Sequence, residues 1–207
     1  MTKGRFITFE GPEGSGKTTQ LRLLAQRLRS AGYEVVETQE PGGTRIGAAI
    51  RSLLLDESNN DLRPLTELLL MFASRAQNVD EVILPALAAG KIVLCDRFTD
   101  STVAYQGAGR GLGADTVYDL DRIACRGLVP HLTLLIDIGV EEGLQRAART
   151  RMEQQSTAFH KIVRETFLQL AQEDPRRIRL IDGARDREAI AVDVWIAVQA
   201  LLGQQMQ

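Results

Sequence analysis

Cysteine is scarce: Cys95 and Cys125 are the only two in 207 residues. They fall in an expected strand and an expected helix, without the spacing of metal ligands, and two thiols cannot build a disulfide framework. This usage suits reduced structural residues in a cytoplasmic protein. No apolar run approaches the roughly 20 residues needed to span a bilayer, and the N-terminus has no signal-peptide core. Charge of either sign is nearly balanced, at 25 Lys+Arg against 27 Asp+Glu for a net charge of -2, which argues against a general nucleic-acid binder. Any basic site must therefore be local. Linkers, repeats and low-complexity stretches are also missing, so a single domain over residues 1–207 is expected. Its 44% hydrophobic content is ordinary for a globular chain.

What is present is an alternation of β-rich apolar runs with helical patterns. Expected strands are 6–10, 34–38, 92–96, 132–137 and 178–182. Gly32 ends the first helix, Thr44 caps a second, a long helical region runs from about Leu65 to Ala89 with a kink at Pro85, and a last helix spans about Arg187 to Leu202. The chain must turn and loop through 107–113 before a helix that ends near Cys125. Such alternation implies an α/β fold with a parallel five-stranded sheet flanked by helices, and ligands at the carboxyl ends of the strands. Glu10, Asp96, Asp137 and Asp182 stand at those ends.

The most informative stretch is Gly11-Pro12-Glu13-Gly14-Ser15-Gly16-Lys17-Thr18, followed by Thr19. It fits G-x-x-x-x-G-K-[ST], and it lies between a strand and a helix, the setting this phosphate loop requires. Glycines let the backbone wrap an anion, amides and the helix N-terminus face it, and Lys17 reaches the outer phosphates of ATP. Thr18 offers a hydroxyl to Mg²⁺. A second constellation starts at Asp96-Arg97. The acid ends a buried strand, where such enzymes place a second magnesium contact, and Arg97 is suited to clamp a phosphate. A structural ion pair is the plainer alternative. Ser101, Thr102, Tyr105 and Gln106 follow within about two helical turns and suit a base and sugar, although an ordinary amphipathic helix would look similar.

Phe9–Thr19, Glu40-Pro41-Gly42-Gly43-Thr44, Leu70–Gln77, Asp96-Arg97-Phe98 and Ser101–Gly107, taken in order, resemble the bacterial thymidylate kinases, and the likeness covers nearly the whole chain. It implies a P-loop NTPase-type fold with a small mobile lid at about 141–160, and transfer of the γ-phosphoryl of ATP to thymidine monophosphate (dTMP), with Mg²⁺, in dTTP synthesis. It further implies that Phe72 stacks on thymine, Arg75 bonds the base carbonyl O4, Thr102 meets the ring N3–H, and Tyr105 excludes a 2′-hydroxyl. Glu13 falls near the sugar 3′-hydroxyl, Arg51 and Arg97 hold the acceptor phosphate, and a homodimer forms through apolar helix faces. Gly14 stands where one branch of the family carries a phosphate-loop arginine, so the resemblance is to the branch with a lid arginine. Arg151 is the first choice for that role and Arg149 the second. The stretch from Arg146 to Arg151 is a few residues short of the family pattern, with Thr150 where an acid usually precedes the arginine.

Two other readings share some of these features. One is a kinase of the same architecture acting on another acceptor, which the set Phe72, Arg75, Thr102 and Tyr105 disfavours. The other is a nucleotide-dependent switch, which has no need of a second phosphate clamp such as Arg97.

Overall fold

A computed structural model of the chain describes residues 4–147, 151 and 154–203. The strands are β1 Arg5–Glu10, β2 Val35–Gln39, β3 Ile92–Asp96, β4 Leu132–Asp137 and β5 Ile178–Asp182. They form one sheet in the order β2-β3-β1-β4-β5, with every pairing parallel. The helices are α1 Lys17–Ser30, α2 Arg45–Leu55, α3 Pro64–Asn78, α4 Leu84–Ala88, α5 Thr99–Thr102, α6 Ala114–Cys125, α7 Val140–Arg146, α8 Thr157–Glu173 and α9 Arg187–Gly203. Two π-helical turns, Val79–Ile83 and Val103–Gly109, continue α3 and α5.

The sheet is apolar on both faces, as parallel strands covered by helices must be. Along β1, Phe6 faces the layer that holds Leu68, Phe98, Val163 and Phe167, whereas Ile7 and Phe9 face Leu21, Leu24, Leu28, Val194 and Val198. Each of these side chains contributes about 1.5–3 kcal/mol by leaving water. β1 is central, with Ile7 in register with Leu94 on one side and Leu132 on the other. Phe9 is level with Asp96, so Glu10, Asp96 and the loops after them emerge at one edge of the sheet. The chain crosses from one half of the sheet to the other at β1, and that is where a crevice forms in open α/β folds.

The sequence places four strands within their observed bounds; the second runs one residue further on, Val35–Gln39. The Thr44 hydroxyl accepts from the Gly47 amide at 2.9 Å and caps α2, as expected. Two details differ. The long helical region over 65–89 is not one regular helix but α3 and α4 joined by a π-helical turn, with Pro85 in the first turn of α4. The loop expected from Gly107 begins only after Gly109, because the π-helical turn carries the chain through both glycines. Asp137 and Asp182 each have partners in the fold. Arg164 donates to both oxygens of Asp137 at 2.7 Å, and Asp182 accepts from the Ala184 amide at 3.0 Å.

Candidate active site

The loop from Gly11 to Thr18 wraps the start of α1. Gly14 has φ +69°, and a Cβ there would sit 2.0 Å from the Gly143 carbonyl, so an arginine at this position has neither the backbone nor the space. Gly16 opens α1 in the left-handed region with no side-chain cap, and no acid lies in the first turn. The positive end of the helix is therefore not neutralised by its own side chains, which suits an anion. Lys17 folds back over the loop, donating to Pro12 O at 2.7 Å, Gly11 O at 3.1 Å and Ser15 Oγ at 3.3 Å. Burial, helped by the neighbouring Arg97, lowers its pKa to about 8 against the pull of Glu13, Asp96 and Glu10. The Thr18 hydroxyl donates to Asp96 Oδ2, joining the two groups assigned to the metal. Thr18 and Thr19 are both exposed.

Arg97 follows β3 with φ +69°, a left-handed conformation that costs a residue with a side chain on the order of 1–3 kcal/mol. Its surroundings hold it there. The Arg97 amide donates to Phe9 O at 2.9 Å, while the carboxylate of Glu10 accepts from the Phe98 amide at 2.7 Å and from the Ser101 hydroxyl. Glu10 is wholly buried, and burial together with Asp100 raises its pKa to about 8. The strained turn aims the guanidinium back at the phosphate loop. Arg97 Nη2 lies 2.8 Å from Glu13 Oε1, and Nη1 donates to Gly11 O and Ser101 Oγ, both at 3.1 Å. Tyr105 Oη donates to the same Glu13 oxygen at 2.8 Å, and its ring lies under the Arg97 guanidinium at 5.0 Å. Burial opposes the ionisation of Glu13, yet Arg97 and Lys17 outweigh it and bring its pKa down to about 2. Burial pushes the Tyr105 phenol well above its ordinary range, so it serves as a neutral donor.

Beyond this cluster lies a cavity of about 220 Å³. Glu40, Pro41, Arg51, Leu55, Met71 and Arg75 line one side, and Glu13, Arg97, Phe98, Ser101, Thr102, Tyr105 and Gln106 the other. Arg51 donates to Pro41 O at 2.8 Å. Arg75 is buried, ion-paired with Glu40, and donates to Thr102 Oγ1 at 2.8 Å and Thr99 Oγ1 at 3.4 Å. A guanidinium has five N–H groups, so donors remain for a ligand, and Thr102 keeps its proton and one lone pair. Glu13, Arg51, Arg75, Arg97, Ser101, Thr102, Tyr105 and Gln106 thus line one cavity, Arg97 ties it to the Gly11 carbonyl that Lys17 also meets, and Thr18 and Asp96 line a second pocket.

Two expected site residues are placed differently. Phe72 is not on the cavity wall: it is 4% exposed, and the Arg75 guanidinium covers a face of its ring at 4.8 Å, with Phe98 at 4.9 Å from the same guanidinium. Met71, one residue earlier on α3, reaches the cavity instead. Arg151, expected over the phosphates, is 6% exposed and bonds Leu54 O at 2.8 Å and Glu67 Oε2 at 2.6 Å. Neither partner belongs to the phosphate loop; the pairing of two buried charges fixes its position. Arg149 and Thr150 lie outside the described residues. Sequence reasoning assigned no role to Glu40, although it opens the Glu40–Thr44 run, and gave none to Glu67, which looks like one acid in an apolar helix.

The chain matches known proteins over nearly its whole length. The family model described as thymidylate kinase matches residues 9–194. The chain is similar to the thymidylate kinase of Pelobacter propionicus, 52% identical over 198 residues, covering 91% of this chain and 90% of that protein. It is equally similar to that of Thermomicrobium roseum, 52% identical over 202 residues and 95% of each chain. Among solved structures, the thymidylate kinase of Ehrlichia chaffeensis superposes with a TM-score of 0.80 at 36% identity, covering 95% of this chain and 99% of that one.

Proposed function

The chain belongs to the thymidylate kinase family, and from that premise we propose how its residues divide the reaction between two nucleotides. The enzyme transfers the γ-phosphoryl group of ATP to dTMP, giving thymidine diphosphate, a step toward dTTP. ATP takes the phosphate loop, residues 11–19, with Lys17 leaving its loop carbonyls for the outer phosphates. dTMP takes the cavity, with its phosphate between Arg51 and Arg97 and its base at the Arg75–Thr102 end, where Phe72 and Phe98 bracket the guanidinium. Tyr105 and Glu13 flank the sugar, and Ser101 and Gln106 complete the wall. The two halves meet at Arg97, whose contacts with Glu13 and Gly11 carry this reading.

Phosphoryl transfer needs in-line placement and neutralisation of charge more than covalent help. Lys17 and Arg97 supply positive charge from the two sides of the transferred group, and the burial of Lys17 and partial burial of Arg97 limit its screening by water. A third cation comes from a lid at about 141–160, where Arg149 takes first place now that Arg151 is tied to Glu67. Magnesium fits beside Thr18 and Asp96. That pair offers only hard oxygen donors, and among the described residues no group of three or more His, Cys, Asp or Glu forms a rival site. When bound, the ion offsets phosphate charge and orients the oxygens.

Ile46 and Leu53 on α2 and Leu65 and Leu69 on α3 are 40% to 52% exposed on neighbouring helices, a face suited to a homodimer. Among the described residues no helix is long and apolar enough to cross a membrane, and both cysteines are buried thiols. A single domain working in the cytoplasm accommodates these features. A panel of acceptors tests the assignment: dTMP should be phosphorylated far faster than dCMP, UMP or 5-methyluridine monophosphate. Faster turnover of any of these would remove the base and sugar roles.

A further inference from the structure

Glu67 is the most heavily engaged acid on the acceptor side, and the phosphoryl-transfer machinery does not use it. It is wholly buried in α3. Its Oε1 accepts from Gln106 Nε2 at 2.9 Å and Arg110 Nε at 3.2 Å, and its Oε2 from Arg110 Nη2 at 3.2 Å and Arg151 Nη2 at 2.6 Å. A carboxylate has about four lone-pair positions, and all are occupied. Arg151 is held by two such bonds. Its Nε caps the Leu54 carbonyl near the end of α2, and its own carbonyl accepts from Gln155 Nε2 at 3.1 Å. Gln155 Oε1 in turn accepts from Arg110 Nη1 at 2.8 Å. The ring of bonds joins α2, α3, the end of the π-helical turn and the segment before α8.

We infer that Arg151 and Glu67 form a latch that orients Gln106 in the acceptor cavity, making Arg151 a positioning residue for dTMP and not an arginine on the transferred phosphoryl group. The chemistry of the amide carries the first half. A carboxylate only accepts, so it selects the Nε2 end of Gln106 and fixes which way the amide is turned. Gln106 lines the cavity, so that choice decides what the acceptor nucleotide meets. Burial carries the second half. For Arg151 to reach the phosphates it would have to abandon a desolvated ion pair and leave the Leu54 carbonyl without its donor, and both losses oppose the movement. A transition-state arginine gains by arriving late; Arg151 is already engaged away from the phosphate loop.

The inference rests on the placement of dTMP in this cavity, and the test separates the two. Steady-state rates of the full-length enzyme would be measured with dTMP and ATP varied in turn, for wild type, Glu67→Gln, Arg151→Ala, the double variant and Gln106→Ala, with thermal melting followed for each. Wild-type turnover of dTMP must stand first; its absence would overturn the function, and the latch with it. Given that turnover, each single variant should raise KM for dTMP about tenfold or more, leave KM for ATP within about twofold, and reduce kcat by less than about fivefold. The double variant should be no worse than the worse single one, because the residues act as a unit. A loss of about a thousandfold in kcat for Arg151→Ala with Glu67→Gln near wild type would overturn the latch and return Arg151 to the phosphates. Unchanged KM for dTMP in the folded variants would also overturn it. If the ion-pair variants fail to fold, Gln106→Ala decides: it leaves the pair intact, and a wild-type KM for dTMP in that variant refutes the proposal.

Discussion

The donor half of the cleft is one unbroken stretch, Gly11–Thr18, whereas the acceptor half is gathered from α2, α3, the turn after β3 and the π-helical turn beyond it. The first works through backbone and a helix end, with one lysine whose partners are at most six residues away. The second works through buried side chains paired over long distances, such as Arg75 with Glu40 and Arg151 with Glu67, the latter 84 residues apart. Recognition of a triphosphate common to all nucleotides needs only geometry that a short motif encodes. Recognition of one base and sugar needs a wall shaped by the whole fold. A family that kept the loop and changed its acceptor would alter only the second half.

The sharpest way to break this comparison is at Lys17. Lys17→Ala should lower turnover on the order of 10²–10³-fold or more, as loss of a preorganised positive group does, while circular dichroism shows an intact fold. Wild-type turnover in that variant would remove the donor assignment. Next in size is Tyr105. Tyr105→Ala should improve the use of 5-methyluridine monophosphate relative to dTMP by roughly tenfold, the scale at which pockets discriminate by small volumes. Tyr105→Phe loses the bond to Glu13 but keeps the ring, so its ratio should stay near that of wild type; equal ratios in all three proteins would take Tyr105 out of the sugar site.

A smaller effect concerns protons. Lys17 is half deprotonated at about pH 8 in the empty loop, because burial and Arg97 disfavour its charge. A bound triphosphate restores that charge, so ATP binding at pH 8 to 9 should take up a fraction of a proton and weaken as pH rises. Calorimetry in buffers of different ionisation enthalpy measures the uptake. Proton release, or an affinity that strengthens with pH, would contradict the placement of Lys17. The smallest expected change is on the acceptor side. Thr44→Ala removes the cap of α2, the helix that carries Arg51, and should cost about 1 kcal/mol of stability. KM for ATP should not move. Chemical denaturation checks the first value and initial rates the second.

The sheet, its strand bounds and the donor loop were legible in the sequence because each is written locally: apolar periodicity for strands, glycine spacing for the loop, Thr44 for the cap. Arg97 and the run from Ser101 to Gln106 were legible as a clamp and a polar wall, but Arg51, Phe72 and Arg75 and the separate roles came only through family resemblance. Arg151 reads in the sequence as an arginine of a lid, since nothing near it announces a partner as distant as Glu67. Phe72 and Met71 differ by one position on α3, and the sequence does not say which of them faces the cavity: Met71 does, while Phe72 packs under Arg75. The strained φ of Arg97 is equally invisible until Glu10 is seen accepting from the residues that follow it. Buried electrostatic pairing is a property of three dimensions, and that is where the sequence reading stopped.

The central claim is that the two halves serve separate nucleotides, and calorimetric titration of dTMP and of ATP with magnesium into Arg51→Ala and Lys17→Ala tests it most directly. The Arg51 variant should bind dTMP about tenfold or more weakly, the scale of a lost charge-assisted phosphate contact, with ATP affinity unchanged. The Lys17 variant should show the reverse. Loss of both affinities in either folded protein, or of ATP alone in the Arg51 variant, would contradict the division.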